Sequence, residues 1–238
     1  MPSHQRPAGQ LAGCASSPGI LFADADIVVV DKPAGMPSVP ARTPLDPPCV
    51  AAVLLQHHGP LEAVHRLDRD TSGLLVLARS PKARIELGRA FEGRLVRKRY
   101  EAIVTGTPPL PVGEIHLPLA PDPWRPPRQM VDPIAGRVAI TRWWLVERQV
   151  AGGRTRSLLE LEPLTGRSHQ LRLQLAWLGT PILGDRLYGP AHAAPGRLSL
   201  HAAALRFPHP ADGRWIEVSS PSGFRCDAAS VECFRATM

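Results

Sequence analysis

The sequence predicts an α+β domain built on a mixed, largely antiparallel sheet, and three observations carry that expectation. Short apolar runs such as residues 27–30 and 74–77 recur between clusters of Gly, Pro, Asp and Ser, which is the signature of buried strands separated by turns. Helix signals are few and interspersed among the strands rather than alternating with them. At 238 residues and 44% hydrophobic content, the chain can bury roughly 70–75% of the surface it exposes when unfolded, so a full core is available.

The elements follow in order. Residues 21–22 and 27–30 read as strands, and 49–57 as a short helix stopped by Gly59-Pro60. Ser80 followed by Pro81 predicts a helix start, with Ser as cap and Pro in the first turn; it should run to about residue 91 and bury Ile85 and Leu87. Residues 99–104 alternate as a strand with Tyr100, Ala102 and Val104 on one face. Prolines crowd 108–133, where a long loop and a hairpin arm carrying Arg125 and Arg128 are expected, with Asp132-Pro133-Ile134-Ala135-Gly136 as its turn. Strands are expected at 138–146 and 157–162. Ser168 is expected to cap a helix ending at Gly179, with Leu171, Leu175 and Leu178 buried. Further strands are expected at 198–207 and 215–218. Residues 1–18, polar and rich in Pro, Gly and Ser, read as a disordered tail, 19–225 as the folded domain, and 226–238 as a C-terminal tail.

The formal charge of +7 suits a polyanionic partner. The cationic residues are three lysines (Lys32, Lys82, Lys98) and otherwise arginine, whose planar fork matches phosphate and stacks on bases. No apolar stretch approaches the ~18 residues of a membrane span, and no signal-type segment opens the chain, so a cytoplasmic protein is expected. Cys14, Cys49, Cys226 and Cys233 form no Cys-x-x-Cys pair; free thiols are expected, with no metal site and no cofactor.

The chemistry concentrates in His65-Arg66-Leu67-Asp68-Arg69-Asp70-Thr71-Ser72-Gly73, a polar loop wedged between apolar runs. Strands hold the ends of such a loop and place a carboxylate accurately while leaving it reachable. Two aspartates, Asp68 and Asp70, compete for that role. The nonapeptide resembles the aspartate motif of the RluA family of RNA pseudouridine synthases, His-Arg-Leu-Asp, two free positions, then Thr-Ser-Gly. Four further blocks follow family order: residues 27–35 ending in Asp31-Lys32-Pro33-Ala34-Gly35; Lys98-Arg99-Tyr100-Glu101-Ala102; Leu164-Thr165-Gly166-Arg167-Ser168-His169-Gln170-Leu171-Arg172 with Gly179-Thr180-Pro181-Ile182-Leu183-Gly184-Asp185 behind it; and Leu200-His201-Ala202.

The resemblance implies the pseudouridine synthase fold with a central RNA-binding cleft. It implies Asp68 as the catalytic carboxylate, leaving Asp70 to a loop ion pair with Arg69. Arg167 is the implied guanidinium partner of Asp68, since a nearby cation favours the charged carboxylate in a dry pocket. Tyr100 is implied to stack on the target uracil, and Arg66 to enter the gap left by the flipped base. Arg125 and Arg128 are expected to reach RNA phosphates. No N-terminal S4 domain of the kind that larger members carry is expected. The chain resembles the compact ones, whose substrates are an rRNA hairpin and a tRNA anticodon stem-loop, and a monomer is expected. Gln174 departs from the family's usual histidine. Two other classes compete: a fold-retaining RNA-binding module without catalysis, and a carboxylate-dependent nucleoside glycosidase, which would want a second acid/base carboxylate.

Overall fold

The computed structural model describes residues 17–40, 47–190 and 196–224 and the backbone of a strand at 231–233. Its strands are β1 (Gly19–Ala23), β2 (Ile27–Lys32), β3 (Glu62–Ala63), β4 (Ser72–Ala78), β5 (Arg97–Thr105), β6 (Val112–Pro121), β7 (Gln129–Val131), β8 (Arg137–Ala151), β9 (Arg154–Pro163), β10 (Leu200–Pro208), β11 (Trp215–Ser219) and β12 (Val231–Cys233). The helices are α1 (Val50–His58), α2 (Pro81–Glu92) and α3 (Gln170–Trp177). All twelve strands join one sheet in the order β1-β2-β4-β10-β5-β9-β8-β6-β7, with β3 beside β4, β11 beside β10 and β12 beside β8. The pairings between strands are antiparallel except that of β4 with β10, which is parallel and central.

The apolar runs of β2 and β4 are continuous because both of their faces are covered. Val28, Val30, Leu75 and Leu77 pack under α1 with Leu54. Ile27, Val29, Leu74 and Val76 face α2 through Ala83, Leu87 and Ala90. Leu171 and Leu175 of α3 pack on Ala102, Val104, Leu159 and Leu161 across the other half of the sheet. The two halves meet where Ser72-Gly73 pair with His201-Ala202. Gly73 has a φ of 108°, and a Cβ there would lie 2.4 Å from the Ala202 carbonyl oxygen, so only glycine lets the two backbones meet. His201 reinforces the seam, with Nδ1 2.8 Å from the Ser72 hydroxyl and Nε2 2.8 Å from the Ser220 carbonyl.

Three sequence expectations need correction. Ile85 is exposed; the buried face of α2 is Ala83, Leu87 and Ala90, the i, i+4, i+7 stripe that a helix turns toward one neighbour. The proline-rich stretch is not a long loop but contains β6 and β7. Prolines fit there because the outer side of β6 is bordered only by the three-residue β7. Ser168 does not cap α3: the residue before the helix is His169, in the left-handed conformation with φ 52°. The Ser80 cap holds, its hydroxyl accepting from Ala83 N at 3.1 Å. The 132–136 turn also forms, closed by Gly136 N donating to the Asp132 carbonyl at 3.0 Å. No helix among the described residues is long and apolar enough to cross a membrane. The expected tails fall mostly outside the described residues, but β12 within the expected C-terminal tail pairs with β8, so the sheet reaches past residue 225.

Candidate active site

The loop between β3 and β4 is seated by the segment that follows β2. Lys32 is fully buried, and its ammonium donates to the carbonyls of Pro33 (2.9 Å), Met36 (2.8 Å) and Arg69 (3.0 Å). Burial pulls its pKa down to about 8 against the opposing pull of Asp70, Asp68 and Asp31. Gly35 N donates to Arg69 O at 2.8 Å, and Arg69 Nε returns a bond to Gly35 O at 3.1 Å. The Ser38 hydroxyl accepts from Leu67 N at 3.0 Å and donates to Leu67 O at 2.9 Å. His65 anchors the other end: its Nε2 accepts from Val76 N at 3.0 Å while its ring stacks on Phe91. Burial, with Lys98 nearby, lowers His65 to about 3, so it stays a neutral acceptor. Asp68 is thereby fixed between two stapled ends. Asp70 lies exposed on the same loop.

The cation that faces Asp68 is Arg172, not Arg167. Arg172 Nη1 donates to Asp68 Oδ2 at 3.3 Å, and its Nε and Nη2 donate to the two oxygens of Asp185 at 2.8 Å each. Its side chain is 5% exposed and that of Asp185 0%. Burial opposes the guanidinium charge, but Asp185 and then Asp68 more than offset it, and its pKa is raised. Asp185 is held low despite burial by Arg172 and by the amides of Leu187 and Tyr188. Such a bidentate fork fixes the third donor in direction. Arg167 instead donates from Nε to the Val138 carbonyl at 3.2 Å. His169, in the left-handed conformation, stands between the two: Arg167 lies in the turn before it and bonds to β8, and Arg172 lies in α3 after it and faces the loop.

His169 closes the group, its Nε2 3.9 Å from Asp68 Oδ2 and its Nδ1 2.9 Å from the Tyr188 hydroxyl. Burial holds its pKa below the ordinary value in spite of Asp68. Tyr188 accepts from Gln129 N at 2.6 Å, and its ring takes Arg128 at 5.2 Å and Arg172 at 5.5 Å. Arg128 is thus packed on an aromatic face. Arg125 is tied through Nε to the buried Asp122 at 2.9 Å. Tyr100 projects from β5 near Asp68; burial and that carboxylate push its hydroxyl pKa up, keeping it protonated. Arg66 is exposed and lines a cleft of about 650 Å³ with Ser38, Arg69, Asp122, Pro126 and Arg128. The loop therefore forms one wall of that cleft and the arm the other.

Sequence reasoning missed Arg172, Asp185, Tyr188 and the seating role of Lys32. The first two lay inside the motif blocks, but nothing in one sequence says which arginine of Gly-Arg-Ser-His-Gln-Leu-Arg faces the loop. Gln174 serves the architecture. It is buried, accepts from the Thr141 hydroxyl at 2.6 Å and donates to Ala139 O at 2.9 Å, binding α3 to the sheet. Among the described residues, Asp24, Asp26 and His209 bring possible metal-ligand atoms within 4.8 Å of one another. They stand at turns flanking β1, β2, β10 and β11 and are already tied together, His209 Nε2 lying 2.8 Å from Asp24 Oδ2.

Comparisons with known proteins show the family. Residues 26–177 match the model of the family described as RNA pseudouridylate synthase. The chain is 41% identical to the dual-specificity RNA pseudouridine synthase RluA of Pasteurella multocida (strain Pm70), over 86% of this chain and 93% of that one. It shows the same identity and coverages with the RluA of Escherichia coli (strain K12). Among solved structures, human RNA pseudouridylate synthase domain containing 1 superposes with a TM-score of 0.79 at 26% identity, over 96% of this chain and 94% of that one. The matched segment contains the Asp68 loop, Tyr100 and Arg172, and the chain belongs to the RNA pseudouridylate synthase family, in its RluA type.

Proposed function

We propose that this chain isomerises uridine to pseudouridine within structured RNA, with Asp68 as the reacting carboxylate. The observation that carries the reading is one carboxylate on a stapled loop at a basic cleft, oriented by a guanidinium that a buried second carboxylate locks in place. The reaction breaks the bond from ribose C1′ to uracil N1 and forms one from C1′ to C5. The proton leaves C5, and N1 gains one. No atom is gained or lost, so an anion that attacks the nucleotide or stabilises the detached sugar, and a pocket that retains the free base, suffice. Tyr100 beside Asp68 offers a ring for the uracil to stack on. Arg66 at the cleft offers a cationic plane to fill the gap in the RNA stack, offsetting part of the few kcal/mol that flipping costs. Asp185 cannot serve as the second carboxylate of a glycosidase, because Arg172 and two amides occupy it.

The RluA relatives are dual-specificity enzymes, and on that likeness the substrates are an rRNA hairpin and a tRNA anticodon stem-loop, met in the cytoplasm by a monomer. Arg125 and Arg128 on the arm act as RNA contacts. Incubation with a labelled RNA hairpin, followed by nucleoside analysis, tests the reading. Pseudouridine without free uracil is the expected product. Free uracil with an abasic site would mean a glycosidase, and tight binding with unchanged uridine a silent RNA-binding module.

A further inference from the structure

Four cations converge beside the active site from four separate segments of the chain. Arg94 comes from the turn after α2, Lys98 from β5, Arg137 from the start of β8 and Arg167 from the turn before α3. Arg94 and Arg137 are exposed, Arg167 and Lys98 half-buried. Arg167 Nε reaches the carbonyl of Val138, next to Arg137, and Lys98 Nζ lies 3.6 Å from where a Cβ on Gly166 would be. Burial first, then the charges of Arg137 and Arg94, lower the Arg167 pKa, so the three guanidiniums are near neighbours that repel one another.

Among the described residues no carboxylate pairs with any of these four. Several arginines elsewhere on the surface are matched, Arg84 with Glu62, Arg142 with Glu114 and Glu162, Arg214 with Asp24 and Asp212; what sets the four apart is that they gather in one place. Arg94 also holds a left-handed backbone with φ 57°, at a helix end where glycine or asparagine is the usual occupant. Like charges gathered without a counter-ion destabilise the folded chain unless an anion completes them. The group adjoins the reaction centre: Lys98 shares a strand face with Tyr100, and Arg167 precedes His169 by two positions.

We propose that Arg94, Arg137 and Arg167, backed by Lys98, form a phosphate-binding site that grips the RNA backbone on one flank of the target nucleotide. The site rests on the reading of the chain as an RNA-modifying enzyme and narrows it. The RNA strand enters between two cationic surfaces, with the Arg66 and Arg128 cleft on the other side of the Asp68 loop. Arg167 then acts on substrate position and not on the carboxylate.

The test measures affinity for a fluorescent RNA stem-loop across a salt series, using wild type, Arg94→Gly, Arg137→Gln, Arg167→Gln and the control Arg214→Gln. Each cluster variant should bind ~3- to 10-fold more weakly at moderate salt, and the slope of log affinity against log salt should flatten by about one per lost cation. Arg167→Lys should restore most of the slope. Arg214→Gln, with the same charge change at a paired surface arginine, should leave the slope unchanged. Single-turnover rates of the control Arg214→Gln should equal those of wild type. Unchanged affinity and slope in the cluster variants, or equal flattening in the control, would overturn the site. Failure of the wild type to form pseudouridine, with the slope changes present, would instead refute the activity and leave the phosphate site standing.

Discussion

Two arginines five positions apart in one motif, Arg167 and Arg172, inhabit opposite electrostatic surroundings. Arg172 is almost fully enclosed between Asp68 and Asp185, and against the effect of burial these carboxylates raise its pKa. Arg167 is half-exposed among Arg94, Arg137 and Lys98, and burial together with its cationic neighbours lowers its pKa. The first environment is complete within the protein; the second is complete only with an anion from outside. On the proposed reading, function divides along that line: the enclosed arginine orients the reacting carboxylate, and the open one meets the substrate's charge. Residue type and motif membership are the same for both. The turn at His169 separates them, with Arg167 before it and Arg172 in the helix after it.

The largest effect expected from breaking the enclosed region is at Asp68 itself. Asp68→Asn keeps the shape and removes the anion, so pseudouridine formation should fall by ~10⁴-fold or more, while RNA affinity changes little. Asp70→Asn, on the exposed side of the same loop, should retain a rate within ~3-fold of wild type. Single-turnover assays of the two variants check the contrast, and equal losses would mean that the loop does not distinguish its aspartates.

A smaller effect sharpens the contrast with a third cation, Lys32, enclosed by carbonyls instead of carboxylates. Its pKa is about 8 when folded, against an ordinary value of 10.5 that the unfolded chain restores. Between those values the unfolded chain binds more protons, so stability rises with pH through the window. The cost of burying the charge is present in full below pH 8 and relieved towards pH 10.5, by about 3 kcal/mol at most. Urea unfolding of wild type should therefore gain stability relative to Lys32→Met as pH rises from 8 to 10.5. A flat or falling difference would show that the three carbonyls hold the ammonium without such a shift.

The legible parts of the molecule were those decided locally. Apolar runs placed β2 and β4, Ser80-Pro81 placed the start of α2, and the Asp68 loop announced itself by its charge between buried strands. β6 was hidden because its prolines mark loops unless the outer side of a strand is left largely unpaired, which is a property of the sheet and not of the segment. Ile85 misled because burial of α2 follows Ala83, Leu87 and Ala90, a stripe in which two of three residues are small and carry slight apolar weight. In the site, the partner of Asp68 is set by how α3 packs against the loop, which one sequence does not show, and Asp185 and Tyr188 reach the group from a separate turn. The unmatched cations around Arg167 come from four segments, so their convergence exists only in the fold.

The division of labour between the two arginines is tested most directly by single-turnover rates at saturating RNA for Arg172→Lys and Arg167→Gln. Lysine keeps the charge at position 172 but cannot fork onto Asp185 and still point at Asp68. Misplacement of the reacting carboxylate by ~1 Å costs ~10²-fold, so Arg172→Lys should lose about that factor in rate with near-normal affinity, its fold verified by circular dichroism. Arg167→Gln should bind more weakly yet turn over within ~3-fold of wild type once RNA saturates it. A wild-type rate in Arg172→Lys, together with a rate collapse at saturation in Arg167→Gln, would contradict the account and return the carboxylate's partner to position 167.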